Sequence, residues 1–140
     1  ALESVCLPPA MKEIEEDAFY QCKDLIKAKF SEGLEKIGVG AFLGSGLIRA
    51  ELPASLRAVS QAAFAVCENL EAVRFSEGLE VLGTDEYFGD GKMYYGVFEE
   101  SMIERVELPS TLKRVEYRTF RGCEYLWDIK FPDSLEYIGK

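Results

Sequence analysis

Apolar residues recur along this chain in a single register, about every 22 or 23 residues. Phenylalanine marks the register most clearly, at Phe19, Phe42, Phe64, Phe98 and Phe120. The intervals between these residues are 23, 22, 34 and 22, and the long interval equals 23 plus an 11-residue insertion. Internal repeats of this length are typical of solenoids, in which each coil buries its apolar side only against its neighbours.

Other apolar positions keep the same register and divide the chain into coils. Coils 1 to 6 open, in order, at Leu2, Leu25, Leu47, Leu70, Ile103 and Leu126. A later column of each coil consists of Met11, Leu34, Leu56, Leu79, Leu112 and Leu135. We predict one domain over residues 1–140, with about five and a half coils and an insertion at about 84–95. Because the last coil is incomplete, a fragment of a longer array is expected.

Each coil contains two segments that are predicted to be extended. The opening segment, for example residues 47–52, alternates apolar and polar side chains and favours a short strand, which Pro53 ends. A second extended segment covers residues 34–37 and their equivalents. The phrase leading into Phe64 is predicted to form one helical or 3-10 turn. Equivalent strands should stack in parallel about 4.8 Å apart, so the predicted fold class is a repeat β-solenoid.

Coils of two kinds alternate along the chain. Odd coils carry Leu-Pro and end in cysteine, whereas even coils carry Phe-Ser or Phe-Pro, and the complete ones end in Ser45 and Ser101. The true unit could therefore be a pair of coils. Duplication of a pair would explain the alternation, and so would better interdigitation of alternating Leu and Phe side chains.

The composition narrows the classes of function. The net charge of −9, from 25 acidic and 16 basic residues, disfavours nucleic acid and anionic membrane surfaces as partners. No stretch approaches the roughly 20 apolar residues of a membrane span, so direct membrane insertion is not expected. The absence of histidine removes the usual acid/base group. Glu99 and Glu100 are adjacent and cannot face each other as a catalytic pair, so we expect no enzyme and no cofactor.

Three of the four cysteines share one column of the repeat. Cys22, Cys67 and Cys123 lie two coils apart, roughly 10 Å. A disulfide needs α-carbons within about 7 Å, so these residues should not pair. We predict small buried core residues rather than a metal site. Cys6 is predicted to point outward as a free thiol.

The outward positions of the opening strands carry the candidate binding residues. One row alternates in charge, which indicates a register-fixing ladder or a charged ligand surface: Lys29, Glu51, Arg74, Glu107 and Lys130. Adjoining positions give the candidate binding set Ile26, Ile48, Arg49, Arg105 and Trp127. An exposed Trp127 would be a common interface anchor. A following coil could equally cover it.

The insertion is the second candidate binding element. Two aromatic pairs, Tyr87-Phe88 and Tyr94-Tyr95, flank a glycine-rich turn and predict a hairpin. Tyrosine-rich loops offer a large contact area, which favours recognition. The alternatives are a flap that packs locally and, less favoured by spacing, a calcium site formed by Asp85, Glu86, Asp90 and Glu99.

Two phrases of the chain resemble a known repeat. Leu52-Pro-Ala-Ser-Leu-Arg-Ala-Val59, with Ala63-Phe64 and Cys67, is similar to the BspA-type leucine-rich repeat. Leu108-Pro-Ser-Thr-Leu-Lys-Arg-Val115, with Phe120 and Cys123, shows the same pattern. The resemblance covers nearly the whole chain. It implies a right-handed leucine-rich-repeat superhelix.

The resemblance also implies a biological setting. Members of this family are cell-surface or secreted proteins of anaerobic bacteria and some parasitic protists, linked to adhesion. It therefore implies an extracellular or cell-surface location, a protein or glycan ligand, and no catalytic residues. The alternative is a structural spacer or assembly segment without its own ligand. The uncapped last coil also suggests end-to-end packing as a possible partner contact.

Overall fold

The computed structural model describes residues 1–83 and 95–140, and within these ranges the chain forms two parallel six-stranded sheets. Sheet A contains β1 (Ser4–Cys6), β3 (Lys27–Lys29), β5 (Arg49–Glu51), β7 (Ala72–Arg74), β9 (Arg105–Glu107) and β11 (Asp128–Lys130). Sheet B contains β2 (Glu13–Ile14), β4 (Lys36–Ile37), β6 (Ala58–Val59), β8 (Val81–Leu82), β10 (Arg114–Val115) and β12 (Tyr137–Ile138). Each coil therefore passes once through each sheet, and the predicted β-solenoid is confirmed.

Stacked aromatic rings form the centre of the core. Phe42, Phe64 and Phe98 are fully buried, and Phe19 and Phe120 continue the column at either end. Successive ring centroids lie 5.0, 5.3, 5.6 and 5.8 Å apart, with interplanar angles of at most 11°. The 22- to 23-residue period thus places one ring per coil directly over the last.

The phrase before each stacked phenylalanine is a series of turns, and the prediction of a helical or 3-10 turn is wrong within the described residues. Ala63 N donates to Ser60 O at 3.3 Å and Ala65 N to Ala62 O at 3.1 Å. Ala62 and Val66 have φ of 58° and 52°. A left-handed residue in each turn reverses the backbone and prevents a continuous right-handed helix.

The alternation of leucine and phenylalanine after the first strand has a packing reason. Phe30 meets the ring of Phe42 edge-on at 5.6 Å, and Phe75 meets Phe98 in the same way at 6.1 Å. The equivalent position in the odd coils holds a leucine. Only every second coil therefore adds a perpendicular ring to the column, which is consistent with the packing explanation.

Hydroxyl groups join each even coil to the odd coil that follows it. Gly33 N donates to Ser55 Oγ at 2.9 Å, and Ser55 Oγ donates to Leu34 O at 2.7 Å. Gly78 N and Thr111 Oγ1 repeat the arrangement, with distances of 2.9 Å and, to Leu79 O, 2.8 Å. Gly33 and Gly78 have φ of 120° and 127°, where a side chain would be strained. The Phe-Ser-Glu-Gly phrase of one coil is thus complementary to the Pro-x-Ser/Thr phrase of the next.

Replacing Thr111 with valine should test this link, because valine keeps the shape and removes only the hydroxyl group. We expect the free energy of unfolding to fall by about 1–3 kcal/mol, since Gly78 N and Leu79 O both lose their partner. Urea denaturation measures the change. Thr111→Ser is the control and should retain most of the stability. An unchanged midpoint for Thr111→Val would contradict the proposed role of the hydroxyl group.

Candidate functional site

The outer face of sheet A begins with a row that is partly apolar. Backbone hydrogen bonds connect this row across the coils, including Ile26 N to Glu3 O at 2.9 Å and Ile48 N to Ile26 O at 3.3 Å. The complete row is Glu3, Ile26, Ile48, Glu71, Glu104 and Trp127. The exposed fractions of Ile26, Ile48 and Trp127 are 47%, 38% and 72%. The structure therefore brings Ile26 and Ile48 together, whereas two glutamates separate them from Trp127.

The next row places like charges side by side. Lys27 and Arg49 are register partners on β3 and β5, and both are exposed. Like charges at paired positions of neighbouring strands repel each other. Further along the same row, Arg105 is neutralised by Asp128, with 3.1 Å between Nε and Oδ2. Of the two arginines predicted from the sequence, Arg49 is thus left with a repulsive neighbour, and Arg105 has a counterion.

From Glu51 to Lys130, the predicted charge ladder has the expected alignment without the expected contacts. Glu51 is the register partner of Arg74, Arg74 of Glu107, and Glu107 of Lys130. Within residues 1–83 and 95–140, however, no ion pair within 4.0 Å joins these side chains. All of them are exposed, and water weakens attraction at such a surface. The ladder leaves its cations available to a ligand.

Two grooves lie along this face. One, of about 880 Å³, extends over β3, β5 and the turns that follow them, and its lining includes Ile26, Ile48, Lys27 and Arg49. The other, of about 990 Å³, lies over β7, β9 and β11. Arg74 contributes to both. The outer face of sheet A is therefore concave enough to hold a ligand at two neighbouring places.

The outer face of sheet B carries a charge row that the sequence analysis did not identify. Its members alternate in sign and are joined through their backbones: Lys12, Glu35, Arg57, Glu80, Lys113 and Glu136. Lys12 Nζ lies 3.4 Å from Glu35 Oε1, and Lys113 Nζ lies 3.8 Å from Glu136 Oε1. The same 22- to 23-residue spacing that revealed the first ladder would have revealed this one. On sheet B, four of the six charges in this row are therefore neutralised within the fold.

Charge reversal should therefore have different effects on the two sheets. Glu35→Lys removes the ion pair with Lys12, and we expect a loss of up to about 1 kcal/mol that disappears in roughly 1 M salt. Glu51→Lys removes no ion pair and should cost less. Thermal melts at low and high salt measure both variants. Equal, salt-sensitive losses would show that the sheet A ladder forms ion pairs in solution.

Two cysteines of the repeat column, Cys67 and Cys123, contact a serine of the preceding coil. All four cysteines are free thiols, so the absence of pairing among Cys22, Cys67 and Cys123 is confirmed, and Cys6 is exposed as predicted. Cys67 Sγ lies 3.5 Å from Ser45 Oγ and 3.2 Å from Phe42 O. Burial raises the pKa of the Cys67 thiol and, less completely enclosed, that of Cys123. These sulfurs are packing and hydrogen-bonding groups of the core.

Thiol reactivity should separate the four cysteines. In the native protein we expect Cys6 to react with Ellman's reagent first and Cys67 last, because the reactive species is an accessible thiolate. Burial and a raised pKa both reduce that species at Cys67. Single-cysteine variants, assayed at pH 8 with and without denaturant, provide the measurement. Fast reaction of Cys67 in the native protein would contradict the packing.

A buried charge cluster lies next to the insertion. Glu99 is 1% exposed, and its carboxylate accepts hydrogen bonds from Gly96 N at 2.8 Å, from Arg121 Nη1 at 3.3 Å and from Arg118 Nη2. Arg118 Nε is buried without a hydrogen-bond partner. The signal in the sequence was a charged residue in columns that are small or apolar in coils 2 and 3. Because the carboxylate of Glu99 binds two arginines, it is not a favourable calcium ligand.

The predicted insertion is only partly described. Tyr87, Phe88 and Tyr94, together with Asp85, Glu86 and Asp90, lie outside the described residues. Tyr95 is described, and 37% of it is exposed. At the other border, a side chain at Gly83 would contact Cβ of Glu116 at 2.6 Å. On the far side of the insertion, Gly96 lies against the backbone of Arg118, so both borders pack against coil 5 close to the charge cluster.

Two other site classes find no support in the described part of the chain. No group of three or more Cys, Asp or Glu side chains there is arranged to hold a metal ion. Residues 1–83 and 95–140 also contain no helix of the length and apolarity that a membrane span requires.

The sequence repeat matches a known repeat family. The family model of the BspA type leucine-rich repeat region matches residues 1–90 and 91–140, in six copies. No curated protein matches the sequence.

Solved structures show the same fold. A leucine-rich repeat protein of T. pallidum is 25% identical with a TM-score of 0.78, and the similarity covers 99% of this chain and 73% of that chain. A leucine-rich cell surface protein of Faecalibacterium prausnitzii is 24% identical, with a TM-score of 0.61 and 99% and 38% coverage. A leucine-rich repeat protein of Eubacterium ventriosum is 22% identical, with a TM-score of 0.64 and 99% and 41% coverage. The chain therefore spans less than half the length of the last two proteins.

Proposed function

Since this chain belongs to the BspA-type leucine-rich repeat family, we propose that it is a binding module that recognises a protein or glycan ligand through sheet A and the insertion. Repeat proteins of this family generally serve as binding or structural modules rather than as enzymes. The observation that carries the proposal is the contrast between the two outer faces. Three lysines of sheet B form ion pairs with register neighbours, whereas sheet A pairs only Arg105 among its described outward cations and presents exposed isoleucines and two grooves.

Exposed apolar side chains also support the outer face of sheet A as the binding surface. Trp127, at 72% exposure, is the most exposed large hydrophobic residue of the described chain, and tryptophan is enriched among residues that dominate binding energy. Ile26 and Ile48 add aliphatic surface at the other end of the same row. Clustered apolar groups within a polar surface mark interaction sites more often than scattered ones do. The face can therefore contact an extended ligand at two points.

The insertion is proposed as a second contact element. It interrupts the repeat once, and the apolar columns on both sides of it remain in place at Leu82 and Phe98. Its predicted contact residues are Tyr87, Phe88, Tyr94 and Tyr95. Insertions in solenoids fall on one face and often bind.

A deletion tests the insertion directly. The intact chain would first be screened against immobilised proteins and glycans. Replacing residues 84–95 with a short Val-Gly linker like Val39-Gly40 should leave a folded solenoid and reduce binding to the ligand identified. Trp127→Ala is the matched variant on sheet A, since it removes an exposed aromatic group without altering the repeat. Full binding by both variants would exclude both proposed contact elements.

We extend the proposal to location and role. A cell-surface or secreted location, with adhesion as the role, would agree with the Faecalibacterium prausnitzii protein, which is described as a cell surface protein. Immunolabelling of intact cells of the source organism tests location. A spacer without its own ligand is the alternative, and the ion pairs on the outer face of sheet B favour it for that side of the molecule. A chain that binds nothing in the screen would support the spacer.

A further inference from the structure

We propose that the groove over β3 and β5 binds an extended acidic peptide segment of a partner protein that also carries apolar side chains. This inference rests on the proposed function and deepens it by naming the ligand class and the site. The residues that carry it are Lys27, Lys29, Arg49 and Arg74, together with Ile26 and Ile48. We refer to this set as the basic groove.

The first argument is a concentration of positive charge on an acidic protein. The chain has a net charge of −9, yet its groove contains four cations and only two anions, Glu32 and Glu51. Within the described ranges, none of the four cations forms an ion pair within 4.0 Å. A cluster of one sign in a cleft attracts and orients ligands of the opposite sign.

The second argument is a local conflict in the sheet. Lys27 and Arg49 are register partners on adjacent parallel strands, where like charges repel. The same protein places opposite charges at comparable partners on sheet B, where Lys36 Nζ lies 3.1 Å from Glu13 Oε1. An acidic ligand lying between Lys27 and Arg49 would relieve the repulsion. Local choices that conflict with stability are expected at functional sites.

The third argument distinguishes a peptide from a polyanionic glycan. Ile26 and Ile48 lie one residue before Lys27 and Arg49, so an aliphatic row lies beside a cationic row in the groove. Sulfated sugars offer anions but no aliphatic side chains to fill such positions. Strands about 4.8 Å apart place β3, β5 and β7 across roughly 10 Å, which matches about three residues of an extended peptide. A peptide of alternating acidic and apolar residues satisfies both groups.

The experiment uses a defined probe because the natural ligand is not identified. A fluorescein-labelled peptide of about eight alternating glutamate and valine residues would be titrated with the intact chain, and anisotropy would be recorded. Lys27→Glu/Arg49→Glu should weaken binding by about tenfold or more. Ile26→Ser/Ile48→Ser should weaken it by a smaller factor. Binding to the intact chain should also weaken at roughly 0.5 M salt, where screening shortens the range of attraction.

A matched variant on the other sheet separates the site from the overall charge. Lys12→Glu/Lys36→Glu makes the same change in net charge on sheet B and should alter binding less than about twofold. Circular dichroism melts confirm that each variant is folded. Equal losses in the two charge variants would overturn the proposal. So would failure of the peptide to bind the intact chain, or a heparin-derived hexasaccharide that requires Lys27 and Arg49 when the peptide does not.

Failure of this inference can be distinguished from failure of the proposed function. A ligand found by the protein and glycan screen would be titrated with the same two charge variants. If Lys27→Glu/Arg49→Glu binds that ligand as well as the intact chain does, the basic groove is not its site, although the binding module stands. If the intact chain binds nothing in the screen and does not bind the peptide, both proposals fail.

Discussion

Replacing Phe64 with alanine is expected to lower the free energy of unfolding by about 3–5 kcal/mol. The ring is fully buried and lies between two parallel rings, with centroids 5.3 Å from Phe42 and 5.6 Å from Phe98. Its loss would remove buried apolar area and leave a cavity at the centre of the stack. Many small domains are stable by only about 5–15 kcal/mol, so a large fraction of the total stability depends on this ring. Thermal and urea denaturation measure the loss.

The end of the same column supplies the control. Among the described residues, Phe19 stacks on a single ring, Phe42, at 5.0 Å, and it is partly buried. Phe19→Ala should therefore cost clearly less than Phe64→Ala, although the chemical change is identical. If both variants lose the same stability, the energetic contribution of the stack does not come from two-sided packing.

Replacing Glu99 with glutamine should be comparably destabilising, by about 3–5 kcal/mol, because it leaves a buried cation without its counterion. The side chain of Arg118 is only 11% exposed, and in the described part of the chain Glu99 is its one ion-pair partner. Glutamine keeps the size of the side chain and can still accept from Gly96 N. The loss of stability would thus result from the missing charge rather than from a change in shape. Chemical denaturation measures it.

Two variants check that interpretation. Arg121 also contacts Glu99, but its side chain is 62% exposed, so Arg121→Met should have little effect. Glu99→Gln/Arg118→Met removes both buried charges and should recover much of the stability lost by Glu99→Gln alone, since an uncharged pair has no unpaired ion to solvate. A double variant that is less stable than Glu99→Gln would contradict a dominant charge effect.

The parts of this fold that follow from periodicity were predictable from the sequence. A 22- to 23-residue repeat with one phenylalanine per coil requires parallel stacking of equivalent residues, and the structure stacks them as expected. Alternation around Arg49–Glu51 placed Ala50 inward and its neighbours outward, which the structure confirms. Ile26, Ile48 and Trp127 are also exposed, although strict alternation would turn them inward with Ala28, Ala50 and Ile129.

Other features depended on information that periodicity does not contain. The helical turn was wrong because left-handed φ at Ala62 and Val66 is not marked by glycine in that coil, although Gly40 and Gly44 hold the same positions one coil earlier. The cluster of Glu99 with Arg118 and Arg121 breaks the repeat, so no column predicted it. The ladder around Glu51 was aligned correctly, but alignment alone does not determine whether exposed side chains meet.

The bonds between unlike coils have a consequence for how such an array can change in length. Gly33 and Gly78 each donate to a hydroxyl group of the following odd coil, and Ser45 meets Cys67 across the same kind of junction. Removing coil 3, for example, would bring coils 2 and 4 together and place Gly33 opposite Gly78, which has no hydroxyl group. Removing two would restore every junction. Gain or loss of a pair of coils, about 45 residues, should therefore preserve these junctions better than gain or loss of a single coil.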